Sequence, residues 1–186
     1  MPPSQRPTVV MEARPLVAPP EELHGRGLCL DVSAVRVDPE HPLAGHKSLN
    51  YVPFLWARAG ARLHGADEAL LLDARGQVVE AAASNAFCVR RGTVLTPPIS
   101  SGALPGVTRQ AVLEVCQSAS IPHAERPITL GELAEADEVF LTNSLIEIVP
   151  VRAVGEHDLD EPVPGPLTCR LQGLYRELVE RETAGS

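Results

Sequence analysis

Lys47 is the single lysine among the 16 Lys and Arg residues of this 186-residue chain. An amine can lose its proton, attack a carbonyl and form a Schiff base, whereas a guanidinium stays charged at any accessible pH. Amine chemistry in this chain therefore falls to Lys47, which sits in HKSLNY with Asn50 and Tyr51 within about one helical turn of it. Three further features carry chemical potential. Glu80 ends an apolar strand before the small-residue run Ala81 to Ser84, where an acid is costly to bury unless a cation or a hydrogen-bond donor meets it. The stretch LPGVTR, Leu104 to Arg109, places a Pro-Gly turn before a helix whose first backbone N–H groups are free to bind an anion such as phosphate. Thr142, Asn143 and Ser144 set two hydroxyls and an amide in a kink between strands. Singly, each has a structural explanation: a surface lysine, a solvated strand end, a helix start and a turn.

Together they supply what one cofactor demands. Pyridoxal 5'-phosphate needs a lysine to hold its aldehyde, an acid to keep its ring nitrogen protonated so that the ring accepts electrons, and donors for its phosphate.

The elements that would position these groups follow from patterning. The run GLCLDVSAVRV, 27–37, alternates apolar and polar residues and predicts a strand. A loop with Pro39, Pro42 and Gly45 leads to an amphipathic helix over 48–63, with Leu49, Val52, Leu55, Trp56, Ala59 and Leu63 as its buried face and Pro53 in its first turn. Lys47 then lies where a loop meets that helix. EALLLD, QVVEAA, NAFCVR and TVLT, separated by turn signals, predict an antiparallel meander. Helices are expected over 108–117, 130–136 and 167–182, and strands over 138–142 and 147–151. The class is mixed α and β. Residues 1–20 form a proline-rich arm or linker, and 21–186 the main domain.

Four stretches, LAGHKSLNY, EAAASNAF, VLTPPISSGALPGVTR and ADEVFLTNSLIEIVPV, closely resemble the fold-type IV pyridoxal-phosphate enzymes, the class IV aminotransferases, in order and spacing from about Pro7 to the end. That family includes branched-chain and D-amino-acid aminotransferases and aminodeoxychorismate lyase. The resemblance implies the large cofactor-binding domain of the D-amino-acid-aminotransferase-like fold and amino transfer between an amino acid and a 2-oxo acid. Lys47 would form the internal aldimine and shuttle a proton, and Glu80 would pair with the ring nitrogen. Tyr51 would hydrogen-bond the phenolic oxygen, and Val107, Thr108 and Ser144 would hold the phosphate. The backbone at Ser144 and Leu145 would hold the substrate carboxylate. Asn85 is expected to shape a turn and Arg109 to pack or pair locally. HKSLNY and SGALPGVTR look like the transaminase branch, while LAGHKSLN is equally at home in the lyases. Relatives of this type begin with a smaller domain on the order of a hundred residues, and this chain starts near its end. A fragment or misplaced gene start is the expectation; a separate chain carrying the N-terminal half, or a relative that no longer catalyses, are the alternatives. Apolar surface that such a domain would cover should then be exposed, which favours oligomerisation or aggregation, and a homodimer is expected.

Composition narrows the partners. A net charge of -8 with scattered arginines argues against a nucleic-acid or anionic-membrane surface. No apolar run reaches membrane-spanning length and the opening lacks a signal-peptide layout, so the cytoplasm is the expected compartment. Cys29, Cys88, Cys116 and Cys169 form no CxxC and read as reduced thiols. The six histidines lack ligand spacing, and the acidic stretch Glu156 to Glu161 lacks the glycine and period of a calcium loop, so no metal is expected.

Overall fold

The computed structural model describes residues 8–15, 21–159 and 162–184. The chain begins with a short helix α1 (Glu21–Arg26) and a long strand β1 (Leu28–Val37), followed by α2 (Val52–Leu63) and the hairpin β2 (Glu68–Asp73) and β3 (Val78–Ala81). A second hairpin, β4 (Asn85–Arg90) and β5 (Thr93–Thr96), leads through a 3-10 turn at Ile99–Ser101 into α3 (Val107–Ser118). Then come β6 (His123–Glu125), α4 (Leu130–Ala134), β7 (Glu138–Asn143), β8 (Glu147–Val154), β9 (His157–Asp158) and the closing helix α5 (Pro166–Thr183).

The nine strands among the described residues join one sheet in the order β3-β2-β1-β8-β7-β4-β5-β6, with β9 on β8. The predicted meander is therefore split. β2 pairs β3 and β4 pairs β5, both antiparallel, but β1, β8 and β7 lie between the two hairpins. Local connection was the wrong guide because β1 pairs in parallel with both β2 and β8, drawing a distant C-terminal strand into the centre. Parallel neighbours need a crossover, and α2 supplies the one from β1 to β2. The near-continuous apolar runs of β4 and β7 are covered on both faces: one core joins Leu30, Leu70, Val78, Cys88, Leu141 and Val149, and a second packs Phe87, Phe140, Val112 and Cys116 beneath α3 and α5. Phe87 and Phe140, register partners on β4 and β7, stack with centroids 4.9 Å apart.

Two expectations need correction. The helix after Lys47 starts at Val52, not Ser48, with Pro53 in its first turn, where a missing N–H costs nothing. Its apolar stripe also faces outward. Ala57 and Ala61 are buried against Ala69, Leu71 and Ala82, whereas Leu49, Val52, Leu55, Trp56 (76% exposed) and Leu63 (87% exposed) are open. The described part of the predicted arm, residues 8–15, forms neither helix nor strand and is exposed; the rest of 1–20 lies outside the described residues. The four cysteines are free, Cys88 and Cys116 buried. No described helix is long and apolar enough to cross a membrane.

Candidate functional site

The loop from β1 to α2 carries the amine. It turns at His41 to Gly45, where Gly45 adopts a φ of +68° that favours glycine and donates its N–H to Gly102 O at 3.0 Å. That bond docks the Lys47 loop on the connection between β5 and α3. Lys47 Nζ donates to Tyr51 Oη at 2.5 Å, with the ammonium 4.7 Å from the Tyr51 ring centroid. Lys47 lies ahead of α2 and Tyr51 is its N-cap, so the loop entering the helix, not a helical face, brings them together.

Glu80 faces the same region from β3, opposite Leu71 of β2, and is only 8% exposed. Its Oε2 accepts the Leu104 N–H at 3.0 Å and the Asn85 side-chain amide at 3.4 Å. Burial pushes the carboxyl up to about 7, against the Leu104 N–H and the positive charge of Lys47, which both favour the carboxylate. An acid held near neutrality can carry charge or a proton at little cost, as a group meeting a cationic ring must.

Leu104 leads into α3. Gly106 is its N-cap, extended (φ -67°, ψ 141°), with no side-chain cap and no acid in the first turn. The first N–H groups of the helix are thus left without intrahelical acceptors, at the positive end of its dipole. Val107 is 80% exposed and Thr108 is buried. Among the described residues neither the Thr108 nor the Ser144 hydroxyl makes a hydrogen bond within the chain. Arg109 anchors this end: buried, it donates to Pro97 O at 2.9 Å and pairs with Glu125 at 2.5 Å, the local role expected of it.

Ser144 and Leu145 occupy the hairpin turn between β7 and β8 and are exposed. Asn143 builds that turn. Its Oδ1 accepts the N–H groups of Leu145 at 2.8 Å and Ile146 at 2.9 Å, while its Nδ2 donates to Ala83 O and to Ser84 Oγ. The turn is thereby tied to the segment just after Glu80. The predicted residues accordingly fall into three neighbouring groups: Lys47 with Tyr51; Glu80 with the Leu104 loop and the Val107–Thr108 helix start; and the Ser144–Leu145 turn. Leu104 and Gly106 were read only as part of the turn before α3, and Asn85 only as shaping a turn, because their contacts with Glu80 and with one another arise from β3, β4 and a loop meeting, which no local pattern reports. Thr142 Oγ1, buried without a partner in the described residues, lies opposite Asn85 across β4 and β7.

An amine beside a phenol, a buried acid and a bare helix N-terminus form a donor set for a phosphate-bearing group with an aldehyde and a basic ring nitrogen, and the residues present fit it. No cluster of three His, Cys, Asp or Glu side chains able to hold a metal occurs among the described residues.

Solved structures similar to this chain include branched-chain aminotransferases and a protein named as a candidate lyase. The branched-chain amino acid aminotransferase of Thermobaculum terrenum, in its PLP form, superposes with a TM-score of 0.78 at 33% identity, covering 82% of this chain and 51% of that one. A Legionella pneumophila protein named as a candidate 4-amino-4-deoxychorismate lyase superposes with the same TM-score of 0.78 at 30% identity, covering 81% of this chain and 56% of that one. In sequence, a candidate branched-chain-amino-acid aminotransferase of Methanocaldococcus jannaschii is 34% identical over 173 residues, 93% of this chain and 59% of its own. The family described as amino-transferase class IV matches residues 2–154. The chain belongs to the class IV aminotransferase family, and its mixed α and β fold is the one expected of that family's large domain. It spans about half the length of the relatives it matches, between 41% and 59% of the first three.

Proposed function

We propose that this chain binds pyridoxal 5'-phosphate and serves amino-group transfer between an amino acid and a 2-oxo acid, in the manner of the branched-chain aminotransferases it is similar to. One observation carries this reading: the only amine side chain of the protein meets Tyr51 and acts electrostatically on a buried acid poised near neutrality. The cofactor, when bound, supplies an aldehyde that joins amines and a ring that takes up the electron pair freed at the substrate's Cα.

The chain's own residues then have distinct tasks. Lys47 Nζ would hold the cofactor at its aldehyde carbon and would serve as the base for the proton at the substrate's Cα. Tyr51 Oη accepts the hydrogen bond of that amine and would donate its own proton to the cofactor's phenolic oxygen. Glu80 holds negative charge against the ring nitrogen, and the protonated nitrogen in turn favours its carboxylate. The N–H groups of Val107 and Thr108 and the hydroxyls of Thr108 and Ser144 bind the phosphate. The Ser144–Leu145 backbone receives the substrate carboxylate, which requires the Leu145 N–H to exchange Asn143 Oδ1 for it. Asn143 fills that place until substrate arrives.

The open apolar face of α2 and the exposed Lys47 rim call for a cover, because such a contiguous patch is rarely left to water. A homodimer, or a separate chain carrying an N-terminal half, is the partner we propose. The cytoplasm is the proposed compartment.

A second reading, release of pyruvate and 4-aminobenzoate from aminodeoxychorismate, is supported by the likeness to the Legionella protein. A third, a non-catalytic cofactor-binding subunit or fragment, is supported by the half-length span. Assays separate them. Transfer of amino groups from branched-chain amino acids to 2-oxoglutarate, lost completely in Lys47→Arg, is the expected result. Pyruvate release without transfer would favour the lyase, and cofactor binding with neither activity the subunit.

A further inference from the structure

Asn85 opens β4 and is buried. Its side-chain NH2 donates to Leu104 O at 2.8 Å and reaches Glu80 Oε2 at 3.4 Å. Its Oδ1 lies so close over Gly106 that a Cβ on that glycine would collide with it. Leu104 is therefore held from both sides of its backbone: its N–H donates to Glu80, and its carbonyl accepts from Asn85 and, at 2.8 Å, from the Gly106 N–H. Gly106 is in turn the N-cap of α3. One amide thus touches the acid, the loop and the cap of the helix in succession.

We propose that Asn85 is a positioning residue that fixes the Glu80 carboxyl and the N-terminus of α3 in one frame, setting the spacing between the acid and the anion-binding helix end. A primary amide suits this task because its two N–H groups diverge at a fixed angle and its oxygen points the opposite way. Gly106 is the complementary choice, since no larger residue leaves room for that oxygen. Lys47 is the charged group that acts on Glu80; Leu71, its register partner, and Leu104 are apolar. The ligand that would bridge this frame rests on the proposed function, but the frame itself belongs to the chain without cofactor.

The test is therefore done without cofactor, by NMR on labelled protein titrated from pH 5 to 9. The Glu80 carboxyl carbon, the Asn85 side-chain amide and the Leu104 backbone amide are expected to share one midpoint near 7, absent in Glu80→Gln. In Asn85→Ala the Leu104 N–H is released from the carboxylate, and the Glu80 midpoint should rise by roughly one pH unit, with roughly tenfold weaker binding of pyridoxal phosphate. A purely structural Asn85 would lower the melting temperature and leave that midpoint in place. Asn85 and Leu104 signals that stay flat while Glu80 titrates overturn the proposal even if the alanine variant does not fold. A chain with coupled titrations but no affinity for pyridoxal phosphate would instead sink the functional reading and leave the positioning role standing.

Discussion

The acid side and the amine side of this site are built in opposite ways. Glu80 sits inside the sheet, hydrogen-bonded to Leu104 and Asn85, and the helix start it adjoins is anchored by a buried Arg109. Lys47 stands on an exposed loop, its Nζ meeting Tyr51 alone, next to a helix whose apolar stripe faces solvent. A sheet can fix an acid by itself, since strand register and buried hydrogen bonds come from one chain. Under the proposed function the amine side would need a second surface to exclude water and to complete the substrate pocket.

Removing an anchor on the closed side should cost most. Arg109→Ala takes away a fully buried side chain and leaves Pro97 O without its donor, and we expect a loss of about 3 kcal/mol by denaturant unfolding. A loss under about 0.5 kcal/mol, the usual range for surface changes, would show that this side is not closed.

Glu80→Gln should act in the other direction. The folded carboxyl titrates near 7 and the unfolded one near 4.5, so between those values the folded state holds a proton that the unfolded state has lost. Stability without cofactor therefore falls as pH rises through that window and stays reduced above it. The glutamine variant removes this slope and should be more stable at pH 8 by on the order of 2 kcal/mol. Melting curves at pH 5 and pH 8 measure it; parallel pH profiles for the two proteins would mean that the acid is not buried as described.

The smallest effect on monomer stability is expected on the open side. Trp56→Glu should change the unfolding free energy by no more than about 0.5 kcal/mol, because Trp56 packs little of its surface within the chain. Its consequence should appear in association. Sedimentation velocity should show self-assembly of the parent chain, or assembly with an N-terminal partner, that is weakened in the variant. Equal assembly in both would remove the α2 face as the contact.

These contrasts also explain what could be read from sequence. Alternation in β1, the short apolar strands and the prolines at helix starts are local signals, and those elements stand within a few residues of their predicted places. The stripe on α2 was also legible, but periodicity states that a face is apolar and not what covers it. The separation of β3 from β4 was illegible because a C-terminal strand, β8, pairs with β1 across more than a hundred residues. His123–Glu125 forms a parallel edge strand of three residues, too short for its alternation to mark it. Lys47, Glu80 and the α3 start were singled out through residue type and order. Asn85 was not assigned to the site, because its role depends on two strands and a loop meeting.

The central claim is that Lys47 holds the cofactor. Purified folded chain, supplied with pyridoxal phosphate, reduced with borohydride and digested, should carry one phosphopyridoxyl group on the Lys47 peptide, and Lys47→Arg should carry none there. Folded protein that yields no adduct on Lys47, or as much on its terminal amine in both proteins as anywhere else, would contradict the account.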